Sequence, residues 1–131
     1  MAEVMQHVPG TFSWTELGTT DVEGAKPFYT GLFGWDTHDV PAGEAGTYTL
    51  CRLDGKDVAG LYRMSEEQLS QGVPPAWLSY VTVEDVDQRA GLAETLGGKL
   101  VAPPFDVMDT GRMALIQDPT GAMLALWQPG T

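Results

Sequence analysis

The feature that most constrains this chain is a weak internal repeat at an offset of 64 residues. Thr20-Asp21-Val22-Glu23 aligns with Glu84-Asp85-Val86-Asp87, and Leu32 and Gly34 then fall on Leu96 and Gly98. Strand-like runs, Phe12 to Leu17 and Ala76 to Thr82, precede the two Asp-Val pairs. A repeat of this length is one supersecondary unit written twice, so the fold must accommodate two copies of it.

Each copy reads as a strand, an Asp-Val turn, a helix, a glycine stop and further strands. Asp21 and Asp85 suit N-cap positions, where a short carboxylate accepts the free amide protons of a first turn. The spacing predicts helices over about 22–32 and 86–96. Phe28 and Leu32 share one face of the first; Ala90, Leu92, Ala93 and Leu96 are expected to face the core from the second. Pro27 lies inside the first helix and implies a kink or a late start. Gly97-Gly98 permits the positive φ that ends the second. Strands are expected over 35–40, 47–53, 58–62, 100–102, 112–117 and 123–128. Asp54-Gly55 and Asp118-Pro119-Thr120-Gly121 form matching turns, and Pro103-Pro104 shapes another.

The expectation is an α+β fold: two tandem βαβββ modules forming a curved mixed-sheet cup with helices on the outside. One domain is expected over 1–131, with module one about 10–63, a linker of about 64–75 that can carry a helical turn, and module two about 76–129. With 131 residues and 43% hydrophobic content, the chain can bury a core. Its 16 glycines and 9 prolines fit many turns.

Seven basic and eighteen acidic residues give a formal charge of −11 and a pI near 4.2. So acidic a surface repels phosphate backbones and anionic lipid, which argues against nucleic-acid and membrane partners. A single cysteine, Cys51, excludes an internal disulfide, and with no adjacent histidine it is expected to be a buried inert thiol. No apolar run approaches the roughly 20 residues that cross a bilayer. The start, Met1 to Gly10, has no basic segment followed by an apolar run, so a cytoplasmic protein is expected.

The order and spacing of Asp21, Phe28-Tyr29, Leu32-Phe33-Gly34-Trp35, Val83 to Asp87, Leu96-Gly97-Gly98 and Asp118 to Gly121 resemble the vicinal oxygen chelate superfamily. This is the glyoxalase, bleomycin-resistance and extradiol-dioxygenase fold, and the resemblance covers about residues 10–129. Within it, Trp14, Val58-Ala59-Gly60-Leu61 and Ala125-Leu126-Trp127-Gln128-Pro129 are similar to a branch lacking the usual metal site, whose members commonly carry a provisional hydroxylase label. Members of that branch often hold two such domains per chain, which implies that a homodimer supplies the second here.

The resemblance also implies four positions at which family enzymes hold a divalent ion with His or Glu. Counting from the Asp-Val pairs and from Asp118 places these on Trp14, Leu78, Ala59 and Ala125. None offers a donor to a cation. His7 and His38 fall on none of the positions and are read as surface or rim side chains. No metal and no cofactor is therefore expected.

Alternation along strands places Trp14 with Glu16, and Leu78 with Tyr80, on the inner face. Ala59, with Asp57 or Leu61, and Ala125, with Met123 or Trp127, complete the lining. Tyr48 and Tyr62 are further candidates whose face is not fixed by the sequence. Arg112, flanked by Met108 and Met113, is placed at a rim loop where it can meet an anionic substituent or solvent. The resulting apolar, aromatic cup with one carboxylate suits a flat organic ligand.

Burial is expected to raise the pKa of Glu16, making it either a general base or a hydrogen-bond donor to a ligand carbonyl. The alternative is a carboxylate bonded to Tyr80 or a neighbouring amide. The reading placed first is a metal-independent protein that sequesters a hydrophobic aromatic compound. The second is a metal-independent cyclase, isomerase or lyase on a natural-product intermediate, with Glu16 shuttling a proton and Tyr80 steadying an oxyanion. The third is an interaction domain whose cup is filled by its own side chains.

Overall fold

The structure is a computed structural model that describes residues 7–43 and 46–130. Of the start read above for a leader segment, Met1 to Gln6 lie outside the described residues. In chain order the elements are β1 (Phe12–Thr19), α1 (Val22–Phe33), β2 (Asp36–Pro41), β3 (Thr47–Leu53) and β4 (Lys56–Arg63). They continue with α2 (Glu66–Ser70), β5 (Ala76–Thr82), α3 (Val86–Thr95), β6 (Lys99–Val107), β7 (Gly111–Gln117) and β8 (Met123–Pro129). The fold is α+β, and the βαβββ unit is present twice.

Local chemistry sets the element ends. Asp21 accepts the Gly24 N–H at 2.9 Å, and Asp85 accepts the Gln88 N–H at 3.2 Å, so both aspartates cap helices. Gly34 closes α1 at φ 73°, a left-handed conformation that costs glycine little. Asp54 and Gly55, both at positive φ, make the two-residue turn between β3 and β4. Pro27 does not delay α1, which runs unbroken from Val22. Asp85→Ala should lower stability by about 1 kcal/mol, read as a reduced urea midpoint with unchanged slope.

The chain separates into two compact units, one of Thr15–Leu78 and one of the residues up to Trp14 with those from Ser79 onward. In the first, the strands hydrogen-bond in the order β2-β3-β4-β1, with β1 parallel to β4 and the other neighbours antiparallel. In the second the order is β5-β8-β7-β6, with β5 parallel to β8. The helices α1 and α3 each cover one sheet face. Leu17, Cys51, Ala59 and Leu61 form the core under α1, joined by Val22, Ala25 and Tyr29. Val83, Val86, Ala90, Ala114 and Leu126 form the core under α3.

Three expectations are corrected. Phe28 and Leu32 are exposed, as are Leu92 and Leu96. In α1 the stripe of Val22, Ala25 and Tyr29 meets the sheet instead, whereas in α3 Ala90 is buried as expected, together with Val86. The α1 stripe lies about one residue, or 100°, around the helix from the expected one. Pro103-Pro104 does not make a turn but lies within β6, between register shifts. β6 is the last strand of its unit, where a missing N–H is tolerated.

Three aspartates are held below the ordinary value of 3.8: Asp39 by the Thr49 hydroxyl and Lys26, Asp87 by Arg112, and Asp118 by Thr120 and the Ala122 amide. A carboxyl depressed in the folded state contributes stability above its unfolded value and loses it as pH falls through the folded value. Thermal unfolding should therefore move to lower temperature below about pH 4. Asp118→Ala should make that acid limb shallower.

Candidate functional site

The face of the first unit turned away from α1 is organised around Glu16. In the parallel ladder Glu16 registers with Gly60, and in the antiparallel ladder Gly60 registers with Leu50. Tyr48, two residues before Leu50, therefore shares the face. Its phenol crosses β4 and donates to Glu16 Oε2 at 2.7 Å. Glu16 is only 9% exposed.

Gly60 makes that crossing possible. A Cβ at residue 60 would overlap the Tyr48 hydroxyl and ring. A glycine inside a strand often marks such a close approach. The same device recurs beside it: Gly18 registers with Tyr62, and a Cβ there would lie 2.7 Å from the Tyr62 hydroxyl. Burial pushes the Tyr62 phenol above its ordinary value, and the nearby Glu16 charge adds to this, against a hydrogen bond from Gln68 of α2. The first unit thus gathers a buried carboxylate and two phenols, Tyr48 and Tyr62, on one sheet face.

The second unit carries an aromatic pair on its corresponding face. Tyr80 registers with Ala125, and Met113 registers with Trp127. The Tyr80 hydroxyl lies 3.8 Å from Met113 Sδ, and the Tyr80 and Trp127 rings meet edge to face at 6.2 Å. Gly111 is the third aromatic saddle, since a Cβ there would come 2.5 Å from the Trp127 ring.

Among the other expected site residues, Trp14 lies two residues before Glu16 on β1, and Leu78 two before Tyr80 on β5. The Leu78 carbonyl accepts from the Thr15 hydroxyl at 3.4 Å. Ala59 is corrected: it is buried under α1 with Leu17, Cys51 and Leu61, on the opposite face from Glu16. On β4 it is Gly60 that registers with Glu16, and one residue along a strand turns a side chain to the other face. Gly60 is therefore the counterpart of Ala125, each registering with the inner residue of the neighbouring parallel strand.

Arg112, expected at a rim loop, is engaged by carboxylates. It sits in β7, where Asp87 holds its guanidinium through two hydrogen bonds of 2.9 and 3.0 Å and Asp106 through one of 3.0 Å. Two carboxylates thus engage three of the guanidinium's five N–H groups. His38 is exposed on β2, and Cys51 is fully buried, which raises its thiol pKa. Sequence reasoning left the face of Tyr48 open; the glycine at position 60 was the signal that could have placed it.

The model of the glyoxalase/bleomycin resistance protein/dioxygenase superfamily matches residues 11–126. The chain belongs to this superfamily. Its relatives include CFP32 of Mycobacterium tuberculosis, which is named as a provisional glyoxylase. It is 42% identical over 129 residues, 98% of this chain and 49% of that protein. The anthracycline biosynthesis protein DnrV of Streptomyces peucetius is 38% identical over 132 residues, 93% of this chain and 48% of that protein. The chain spans about half the length of the curated relatives it matches. A Streptomyces coelicolor methylmalonyl-CoA epimerase variant, solved in complex with 2-nitronate-propionyl-CoA, superposes at a TM-score of 0.68 and 15% identity. The match covers 95% of this chain and 100% of that one, a likeness of fold.

The superfamily's divalent ion does not fit the residues present here. With Gly60 replacing Ala59, the four positions are Trp14, Leu78, Gly60 and Ala125, and no side chain among them can donate to a cation. Among the described residues no three His, Cys, Asp or Glu side chains group closely enough to hold one.

Proposed function

We propose that this superfamily member is a cytoplasmic small-molecule-binding protein that takes up a planar aromatic compound without a metal, with a second copy of the chain as its partner. The observation that carries the reading is the Tyr48–Glu16 hydrogen bond laid over Gly60. It builds a fixed polar point into the sheet face that also carries Tyr62. The Tyr80–Trp127 pair gives the second unit a ring surface of its own. Flat ring faces with few, well-placed polar groups describe a site for fused-ring ligands. A relative's place in anthracycline biosynthesis agrees, because anthracyclines are planar fused-ring compounds. The net charge of −11 draws in ligands that carry an amine.

The test is a tryptophan-fluorescence titration of chelator-treated protein with a panel of hydroxyanthraquinones. Saturable quenching at about micromolar concentration, unchanged by chelator, is expected; no binding tighter than about millimolar overturns the reading.

The same dyad favours a second reading, an enzyme of natural-product chemistry acting by proton transfer. A carboxylate held by a phenol at 2.7 Å is positioned to accept a proton from a bound substrate. On that reading Glu16→Gln abolishes turnover and leaves binding within about tenfold of wild type. Turnover that survives the change removes Glu16 from the chemistry.

A further inference from the structure

The two phenols beside Glu16 are held in opposite senses. Tyr48 donates to Glu16, whereas Tyr62 accepts from the side-chain amide of Gln68 in α2. The N-cap of α2 decides this polarity. Gln68 Oε1 accepts the Ser65 N–H at 2.9 Å, while Ser65 Oγ accepts the Gln68 N–H at 3.2 Å, a closed capping box. With its oxygen committed to the cap, the amide presents Nε2 to the phenol, and that end can only donate. Gly18 leaves room for the Tyr62 hydroxyl over β1, 2.7 Å from where a Cβ would stand.

A phenol oxygen whose acceptor side is filled still has a hydrogen to place. Among the described residues none takes it. Tyr62 is only half-buried, so a ligand on this face can reach it. We propose that Tyr62 donates its hydroxyl hydrogen to a neutral carbonyl oxygen of the aromatic ligand, with Gln68 as the residue that positions it as a donor. The site then selects ketones and quinones. Glu16 excludes the anionic alternatives, because its charge already acts on Tyr62 and would repel a carboxylate or phenolate placed there. Register supports the donor role: Gly60 corresponds to Ala125, so Tyr62 corresponds to Trp127, whose indole can only donate. The inference rests on the reading above that this face binds a planar aromatic compound, and it names the polar group such a ligand must carry.

Equilibrium dialysis with 2-(hydroxymethyl)anthraquinone and 2-(hydroxymethyl)anthracene tests it. Both are uncharged and share a fused-ring frame; they differ in the carbonyls. Wild type should bind the quinone about tenfold or more tighter than the anthracene. Tyr62→Phe should bring the quinone down to the anthracene's affinity and leave the anthracene within about threefold of wild type. Gln68→Glu separates positioning from support. Glutamate also closes a capping box at this position, so α2 keeps its cap. Its carboxylate has no N–H and accepts the Tyr62 hydrogen, which withdraws that hydrogen from the ligand. The quinone preference should therefore disappear although Tyr62 is intact.

If wild type binds neither compound tighter than about millimolar, the aromatic-ligand reading itself fails and this inference with it. Equal affinity for the two compounds keeps that reading and overturns the carbonyl contact. A preference that survives Tyr62→Phe assigns the carbonyl to another donor and overturns Tyr62. Loss of affinity for both compounds alike in Tyr62→Phe shows a packing role and overturns it too. A preference removed by Tyr62→Phe but kept in Gln68→Glu overturns the part given to Gln68.

Discussion

Gly60→Ala should lower unfolding stability by about 1–3 kcal/mol and weaken aromatic-ligand binding by about tenfold or more, although it adds only one methyl group. The methyl would occupy the space of the Tyr48 hydroxyl. Tyr48 must then swing off β4, and the 2.7 Å bond to Glu16 breaks. A double-mutant cycle separates this overlap from a general dislike of alanine in the strand. If the tyrosine is the obstacle, Gly60→Ala should cost much less in a Tyr48→Ala background than in wild type, by about 1 kcal/mol or more. Equal costs in both backgrounds remove Tyr48 from the explanation.

Tyr48→Phe is the second large effect. It keeps the ring and removes the hydroxyl that donates to Glu16. A hydrogen bond to a charged group contributes about 1.5–3 kcal/mol, and that is the expected loss of stability at neutral pH. The effect should fade as the carboxyl protonates, because a neutral acid depends less on a donor. Urea unfolding of wild type and Tyr48→Phe at neutral and acid pH checks this. A difference that is the same at both pH values contradicts a charge-assisted bond. Tyr62 provides the comparison, since its phenol is engaged by Gln68 and Tyr62→Phe should be milder.

Much of the fold was legible because its signals are local. Asp21, Asp85, Gly34 and the Asp54-Gly55 turn state their roles through side-chain reach and φ alone. The repeat then placed strands and helices within a residue or two of their ends, β6 excepted. What the sequence hid was register. Ala59 was read as the counterpart of Ala125, but the β1–β4 register makes Gly60 the counterpart, and one residue is the difference between faces. Helix orientation was misjudged for a related reason. Phe28 and Leu32 are apolar and correctly spaced, yet Ala25 and Tyr29 sit on the stripe that meets the sheet. The ion pairs of Arg112 were not legible, because Asp87 in α3 lies 25 residues away and Asp106 faces Arg112 only through the β6–β7 register. The glycines carried the most information and were the least read, since three of them make room for aromatic rings that cross a neighbouring strand.

Native mass spectrometry of chelator-dialysed protein with a hydroxyanthraquinone reads aromatic-ligand binding and metal content together. One organic adduct per chain is expected, retained with no divalent ion and reduced in Tyr48→Phe. An adduct that forms only when a stoichiometric divalent ion is added back, or none at ligand concentrations near about 1 mM, would contradict it.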